Sequence, residues 1–84
     1  MTSDMVEIHL FAAARAAVGQ SMLTVEAGTL AEILDRIETG APAFTRVRSQ
    51  CSYLIDGTAS HDDPARVDIA GGMRLDVLPP FAGG

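Results

Sequence analysis

A chain of 84 residues, 48% of them hydrophobic, can bury one modest core but is too short to enclose a complete active site as well. Eleven acidic residues against six arginines and no lysine give a net charge of −5, which argues against a nucleic-acid binder and suits docking to a basic protein surface. Cys51, the single cysteine, permits no internal disulfide, and there is no leader-like N-terminus or long apolar run, so the expected setting is the cytoplasm, with no membrane contact.

Residues 1 to 5 read as a frayed terminus. Val6, Ile8 and Leu10 then alternate with Glu7, His9 and Phe11, the period of a strand with one buried face and Phe11 on the other. The run Ala12 to Val18 favours helix but is too short to stand alone; Gly19 ends it after a turn or two. Met22 to Glu26 is a second strand, with Leu23 and Val25 on one face.

The main helix has the clearest local signal. Thr29 and Glu32 are spaced for a capping box. Leu30, Ile33, Leu34 and Ile37 fall at i, i+3, i+4 and i+7 and share one face, and Gly40 and Pro42 end the helix. Glu32, Asp35, Arg36 and Glu38 lie on the opposite, solvated face, and Phe44 and Val47 belong to a loop or short turn that plugs one end of the core.

Cys51 to Ile55 reads as a third strand, Asp56-Gly57 as a hairpin turn and Thr58 to His61 as a short return strand. Asp62-Asp63-Pro64 turns the chain, Val67 and Ile69 fix a crossing loop, and Gly71-Gly72 is a turn. Met73, Leu75 and Val77 alternate with Arg74, Asp76 and Leu78 in a final strand. This order predicts an α+β, ubiquitin-like β-grasp fold: a mixed sheet with one main helix packed across it and the first and last strands parallel at its centre.

The final strand is stopped by Pro79 and Pro80, which lack a backbone N–H and hold φ near −65°, so residues 79–84 are expected to leave the domain of residues 1–78 as a flexible tail with a stiff beginning. Phe81, Ala82, Gly83 and Gly84 follow. Two glycines without side chains let a partner close a narrow channel around the backbone and still reach the carboxylate of Gly84. A terminal carboxylate, with a pKa of roughly 3.5, is ionised and has no leaving group, so another protein must activate it, for example as an acyl-adenylate made with ATP. A sulfur donor would then leave a thiocarboxylate and an amine an amide. A glycine pair also arises by chance at about one chain end in two hundred.

The segment Leu10-Phe11-Ala12-Ala13-Ala14-Arg15 with Gly19, together with Leu78-Pro79-Pro80-Phe81-Ala82-Gly83-Gly84, resembles the MoaD-like sulfur carriers, small subunits of molybdopterin synthase within the wider MoaD/ThiS group. The related thiamine-pathway carriers share the fold and the Gly-Gly end but typically not the diproline. The resemblance implies that the chain is no enzyme on its own and binds no cofactor. A ubiquitin-activating-type adenylyltransferase would use ATP to adenylate Gly84, and a sulfurtransferase would supply the sulfur. The tail, Pro79 to Gly84, would then enter the large synthase subunit of a heterotetramer and give its sulfur to a pyranopterin precursor. Positions near the end that are often aromatic in such carriers are here Val77 and Leu78, so the contact surface would differ in detail.

Phe11, Arg15 and Leu78 are the docking candidates on the body. Phe11 either forms an exposed patch with Leu78 and Phe81 or packs under the Ala12 to Val18 turn, and Arg15 serves either a partner contact or a local ion pair. Cys51, mid-strand, suits a core position better than a nucleophile. His9 and His61 lack metal-ligand spacing. Other readings stay open: a carrier for thiamine, cysteine or transfer-RNA thiolation, a protein modifier, or a passive β-grasp interaction domain.

Overall fold

Alternation does in three dimensions what it implies in the sequence. In the computed structural model, which describes residues 4–80, β1 (Met5–Leu10) turns Val6, Ile8 and Leu10 into the core and Met5, Glu7 and His9 away from it. Helix α1 (Ala12–Val18) follows at once and ends at Gly19, whose φ of 84° closes the turn as its N–H donates to the Arg15 carbonyl at 2.8 Å. Strand β2 (Met22–Glu26) returns antiparallel to β1, with Leu23 and Val25 half-buried.

A two-residue strand, β3 (Gly28–Thr29), leads into helix α2 (Leu30–Gly40) through the expected capping box. The Thr29 N–H donates to Glu32 Oε1 at 2.8 Å, and the Glu32 N–H donates to Thr29 Oγ1 at 3.1 Å. That backbone bond, with the Thr29 side chain, holds the Glu32 carboxyl below the usual carboxylate range. Leu30, Ile33, Leu34 and Ile37 are all buried. Gly40 is the last helical residue rather than a left-handed cap; the cap is Ala41, whose N–H donates to the Ile37 and Glu38 carbonyls.

The loop expected after α2 is ordered as a 3-10 turn over Pro42–Phe44 and a short helix, α3 (Thr45–Arg48). Phe44 is fully buried and closes one end of the core, as its position suggested. Arg48 staples this corner to α2: its Nη1 donates to Asp35 Oδ1 at 2.7 Å and Glu38 Oε1 at 3.1 Å. Partial burial opposes the guanidinium charge, but the two carboxylates outweigh it and raise its pKa.

Strand β4 (Ser52–Ile55) and β5 (Thr58–Ser60) form the hairpin, turned by Asp56 and Gly57 at φ of 49° and 84°. Cys51 precedes β4 rather than lying mid-strand: its N–H bonds to the Arg48 carbonyl of the preceding helix instead of joining the ladder. The return strand stops at Ser60, one residue short of His61. Asp63 then caps a second 3-10 turn, Pro64–Arg66, accepting from the Ala65 N–H. The crossing loop is more regular than expected, because β6 (Asp68–Ile69) pairs antiparallel with β3 in a separate two-stranded sheet. Neither piece is long enough to show a period in the sequence.

Gly72, at φ 88°, turns the chain into β7 (Arg74–Leu78), one residue shorter than the alternation implied. The main sheet has the order β2-β1-β7-β4-β5, with β1 and β7 parallel and every other neighbouring pair antiparallel. This is the ubiquitin-like β-grasp fold. Helix α2 covers one sheet face, and the core between them is apolar, with no buried polar or charged residue among the described ones.

Candidate functional site

The last strand is held on both sides. Leu10 pairs with Val77 of β7 on one side, and Ser52 of β4 pairs with Leu78 on the other. Beyond the last β1 pair, the Phe11 N–H still reaches the Val77 carbonyl at 3.3 Å. The ladder then stops where proline supplies no donor. Pro79 is buried and Pro80 exposed, so the chain parts from the body between them. Phe81, Ala82, Gly83 and Gly84 lie outside the described residues.

The outer sheet face follows from the register. Glu7 neighbours Arg74 and His9 neighbours Asp76 across the parallel pair, and one step further the same register sets Phe11 beside Leu78. Met22 pairs with His9 and Leu54 with Asp76. Polar groups at the centre are tied together: Glu7 Oε2 lies 2.6 Å from His9 Nε2, and Asp76 Oδ1 lies 2.7 Å from Arg74 Nε. A carboxylate can only accept, so the His9 bond puts a proton on Nε2. Apolar side chains surround them, with Met22 48% and Phe11 40% exposed and Leu54 and Leu78 half-exposed.

The structure therefore brings two of the three docking candidates, Phe11 and Leu78, to one face next to the start of the diproline. Phe11 stays outside the core cluster rather than packing beneath α1. Arg15, on the exposed side of α1, makes no ion pair among the described residues, so the local pairing it could have served is absent there. Met22 and Leu54 were missed as members of this face. Their signal was cross-strand pairing, which a single sequence does not print.

Cys51 is half-buried just before β4, its Sγ donating to the Val47 carbonyl at 3.3 Å, and burial pushes the thiol up to about 11. Tyr53 carries its hydroxyl to the Arg48 carbonyl at 2.8 Å, and burial pushes it up to about 12. Among the described residues no three histidine, cysteine or acidic side chains gather as a metal site, and no helix is long and apolar enough to cross a membrane.

A parallel central pair that ends at a diproline, beside a sheet face where apolar side chains ring tied polar groups, defines a class: a ubiquitin-like β-grasp domain. The chain belongs to the ThiS family, whose model matches residues 8–84, a family of small and generally non-catalytic carriers. Among solved structures it is similar to small archaeal modifier protein 1 from Haloferax volcanii, at 25% identity and TM-score 0.80 over 95% of this chain and 99% of that one. Small archaeal modifier protein 1 from Methanosarcina acetivorans is 21% identical, with TM-score 0.83 over 100% of both chains. The complex of subunits 1 and 2 of molybdopterin-converting factor from Helicobacter pylori contains a chain 19% identical, with TM-score 0.69 over 95% of this chain and 99% of that one. No curated protein matches the sequence. The chain is thus a sulfur carrier of the ThiS/MoaD kind or a modifier of the archaeal type.

Proposed function

We propose that this chain is the sulfur-donating small subunit of a molybdopterin synthase. The Gly84 carboxylate attacks the α-phosphate of ATP on a ubiquitin-activating-type adenylyltransferase, and pyrophosphate leaves. The persulfide of a sulfurtransferase then attacks the acyl carbon, AMP leaves, and a thiol reductant cleaves the S–S bond to release the thiocarboxylate. The tail, Pro79 to Gly84, carries this group into the large subunit, which supplies the catalytic side chains for sulfur transfer to a pyranopterin precursor. The chain itself binds no cofactor and works in the cytoplasm.

The observation that carries this reading is the end of β7: its β4 edge is paired to Leu78 and its β1 edge to Val77, whose carbonyl also takes the Phe11 N–H, and the diproline follows at once. A rigid strand feeding a stiff exit lets the docked body set the depth to which the tail reaches. A relative seen in a complex of the two subunits of molybdopterin-converting factor supports the choice of partner. The second reading, a protein modifier ending in an amide bond, is favoured by the likeness to the Haloferax volcanii modifier.

The test is the intact mass of the untagged chain recovered from its own cytoplasm, with fragmentation to localise any change. We expect one oxygen of Gly84 replaced by sulfur, and loss of that species together with synthase activity when Gly83 and Gly84 are deleted, at unchanged melting temperature. Gly84 found only in amide linkage to other proteins establishes the modifier. An unmodified end after incubation with ATP, a sulfur source and host extract overturns both.

A further inference from the structure

We propose that the outer sheet face docks against an apolar surface of its partner and takes up a proton as it does so, the proton settling on His9. This rests on the reading of the chain as the small subunit of a two-subunit synthase, with that face covered by the large subunit. It adds what the covering surface is like and why its grip depends on pH.

The centre of the face is a square of four polar side chains. Along β1, Glu7 Oε2 lies 2.6 Å from His9 Nε2, and along β7, Arg74 Nε lies 2.7 Å from Asp76 Oδ1. Across the parallel pair, Glu7 neighbours Arg74 and His9 neighbours Asp76. Each acid therefore has a nitrogen base beside it along its own strand and another across the ladder. From β2, the residues facing His9 are Met22, its partner, and Thr24 on the diagonal, neither of which titrates; on the far side of β7 the partner of Asp76 is Leu54. Met5 and Phe11, 39% and 40% exposed, precede and follow the square along the chain, and Leu78 follows Asp76. A polar centre inside an apolar rim fits a partner surface that is itself apolar.

Counting charge decides what that cover requires. Arg74 and Asp76 cancel. With a proton on Nε2 alone, His9 is an uncharged donor to Glu7 and the square holds one excess negative charge; with a second proton on Nδ1 it holds none. In the free chain water reaches the excess charge, since the Glu7 side chain is 51% exposed. The His9 and Asp76 side chains are already down to 22% and 13%, so a covering surface completes their burial and strips Glu7 of its water. A charge left without water or a counter-charge is costly, and histidine is the side chain that ordinarily changes charge between pH 5 and 8. A proton taken from solvent onto Nδ1 turns the Glu7–His9 bond into an ion pair and leaves the square neutral, with no other bond made or broken. A cation brought by the partner meets the same need less well, because it must enter beside the like charge of Arg74, whereas the proton arrives between two carboxylates, Glu7 and Asp76.

The experiment is calorimetric titration of the full chain with the large subunit, in phosphate and in Tris at the same pH. The two buffers differ in ionisation enthalpy, so the difference in heat counts the protons exchanged. The parent is compared with His9→Gln, which keeps a donor for Glu7 but does not titrate, and with Glu7→Gln, which removes the excess charge itself. We expect the parent to take up more protons than His9→Gln, by a difference approaching one per complex, and its affinity to fall more steeply between pH 7 and pH 8, by up to about 10-fold. We expect Glu7→Gln to lose the uptake as well and to bind more tightly than the parent at pH 8. A carboxylate that only met a basic partner surface, or only held the strand in shape, would give weaker binding when neutralised.

Two results overturn the inference and leave the synthase reading standing: equal proton exchange by the parent and His9→Gln, or weaker binding by Glu7→Gln than by the parent at pH 8. A parent that does not bind the large subunit at all overturns the synthase reading, and this inference falls with it.

Discussion

The two faces of the five-stranded sheet are built from the same strands, yet they do opposite things. The inner face, with Val6, Ile8, Leu10, Leu75 and Val77, is uniformly apolar and fully covered by α2 and its neighbours. The outer face mixes Glu7, His9, Arg74 and Asp76 with Met22, Leu54, Phe11 and Leu78, and no element of the described chain covers it. Successive residues of one strand thus serve the core and, on the proposed function, docking by turns. The lesson is that the parallel pairing of β1 with β7 ties the proposed docking face and the strand that leads into Pro79 to the best-buried part of the molecule. A change on the inner face should be felt as unfolding, and one on the outer face as lost docking.

The sharpest break of the comparison is Leu75→Ala. Leu75 is fully buried at the sheet centre, between Ile8 and Ile55 in the register. Removing its methyl groups costs about 2–5 kcal/mol in lost burial and residual cavity. A domain this small has little to spare, so urea denaturation should show a midpoint displaced to a small fraction of the parent's, or no folded baseline at all.

Three residues along the same strand, Leu78→Arg should do the reverse. Leu78 is half-exposed on the outer face beside Phe11. The variant should melt within a few degrees of the parent and bind its partner about 10- to 100-fold more weakly, since truncated or charged anchors at such sites cost about 1–3 kcal/mol. Calorimetric titration with the activating enzyme or the large subunit checks it. Phe11→Ala should give the same pattern at smaller size. Equal losses of stability in Leu78→Arg and Leu75→Ala would dissolve the distinction between the faces.

Alkaline titration probes the seam where the inner face meets the α3 corner. Cys51 and Tyr53 are neutral when protonated, and burial raises both pKa values in the folded chain, to about 11 and about 12. The sign follows from linkage: the folded state holds its protons to higher pH than the unfolded one. Stability is therefore complete below the ordinary thiol value of about 8.5, falls as pH rises through the ordinary thiol and phenol range, and the contribution is gone once pH has passed the folded values. Urea midpoints measured from pH 8 upward should fall accordingly. Tyr53→Phe should flatten the upper part of that fall while lowering neutral stability by about 1 kcal/mol, through the lost bond to the Arg48 carbonyl.

How much of this was legible in the sequence depends on whether the cause was local. The Thr29–Glu32 cap, the Leu30 to Ile37 stripe, the left-handed Gly19 and the Asp56-Gly57 turn are set by residues within a few positions of each other, and each stands where the pattern put it. Phe11 and Leu78 were placed on the outer face by alternation alone. Met22 and Leu54 were not, since each joins that face through a partner strand. The β3–β6 ribbon had no period to read, and Cys51 was drawn out of β4 by the helix before it. The Arg48 staple joins residues ten and thirteen apart, beyond any local rule.

The smallest expected effect concerns the hinge between the faces. Ala12 opens α1 at φ 49°, in the left-handed region that glycine tolerates and alanine adopts at a cost of about 1–2 kcal/mol. Nothing in the residue's chemistry demands this, so the conformation is imposed by its neighbours. Phe11 is held by its bond to the Val77 carbonyl, and Ala14 is buried in the core two residues on. The chain must turn from strand to helix between those anchors, and Ala12 absorbs the bend. Ala12→Gly relieves the strain and also gives the unfolded chain more freedom to lose, so the net gain should be at most about 1 kcal/mol, a rise of a few degrees in melting temperature. If the gain appears with docking unchanged, the strain is only a cost of the fold. If the variant is more stable but docks more weakly, the bend at Ala12 is what aims Phe11 toward Leu78, and the recognition face is set by strain at its corner as well as by its register.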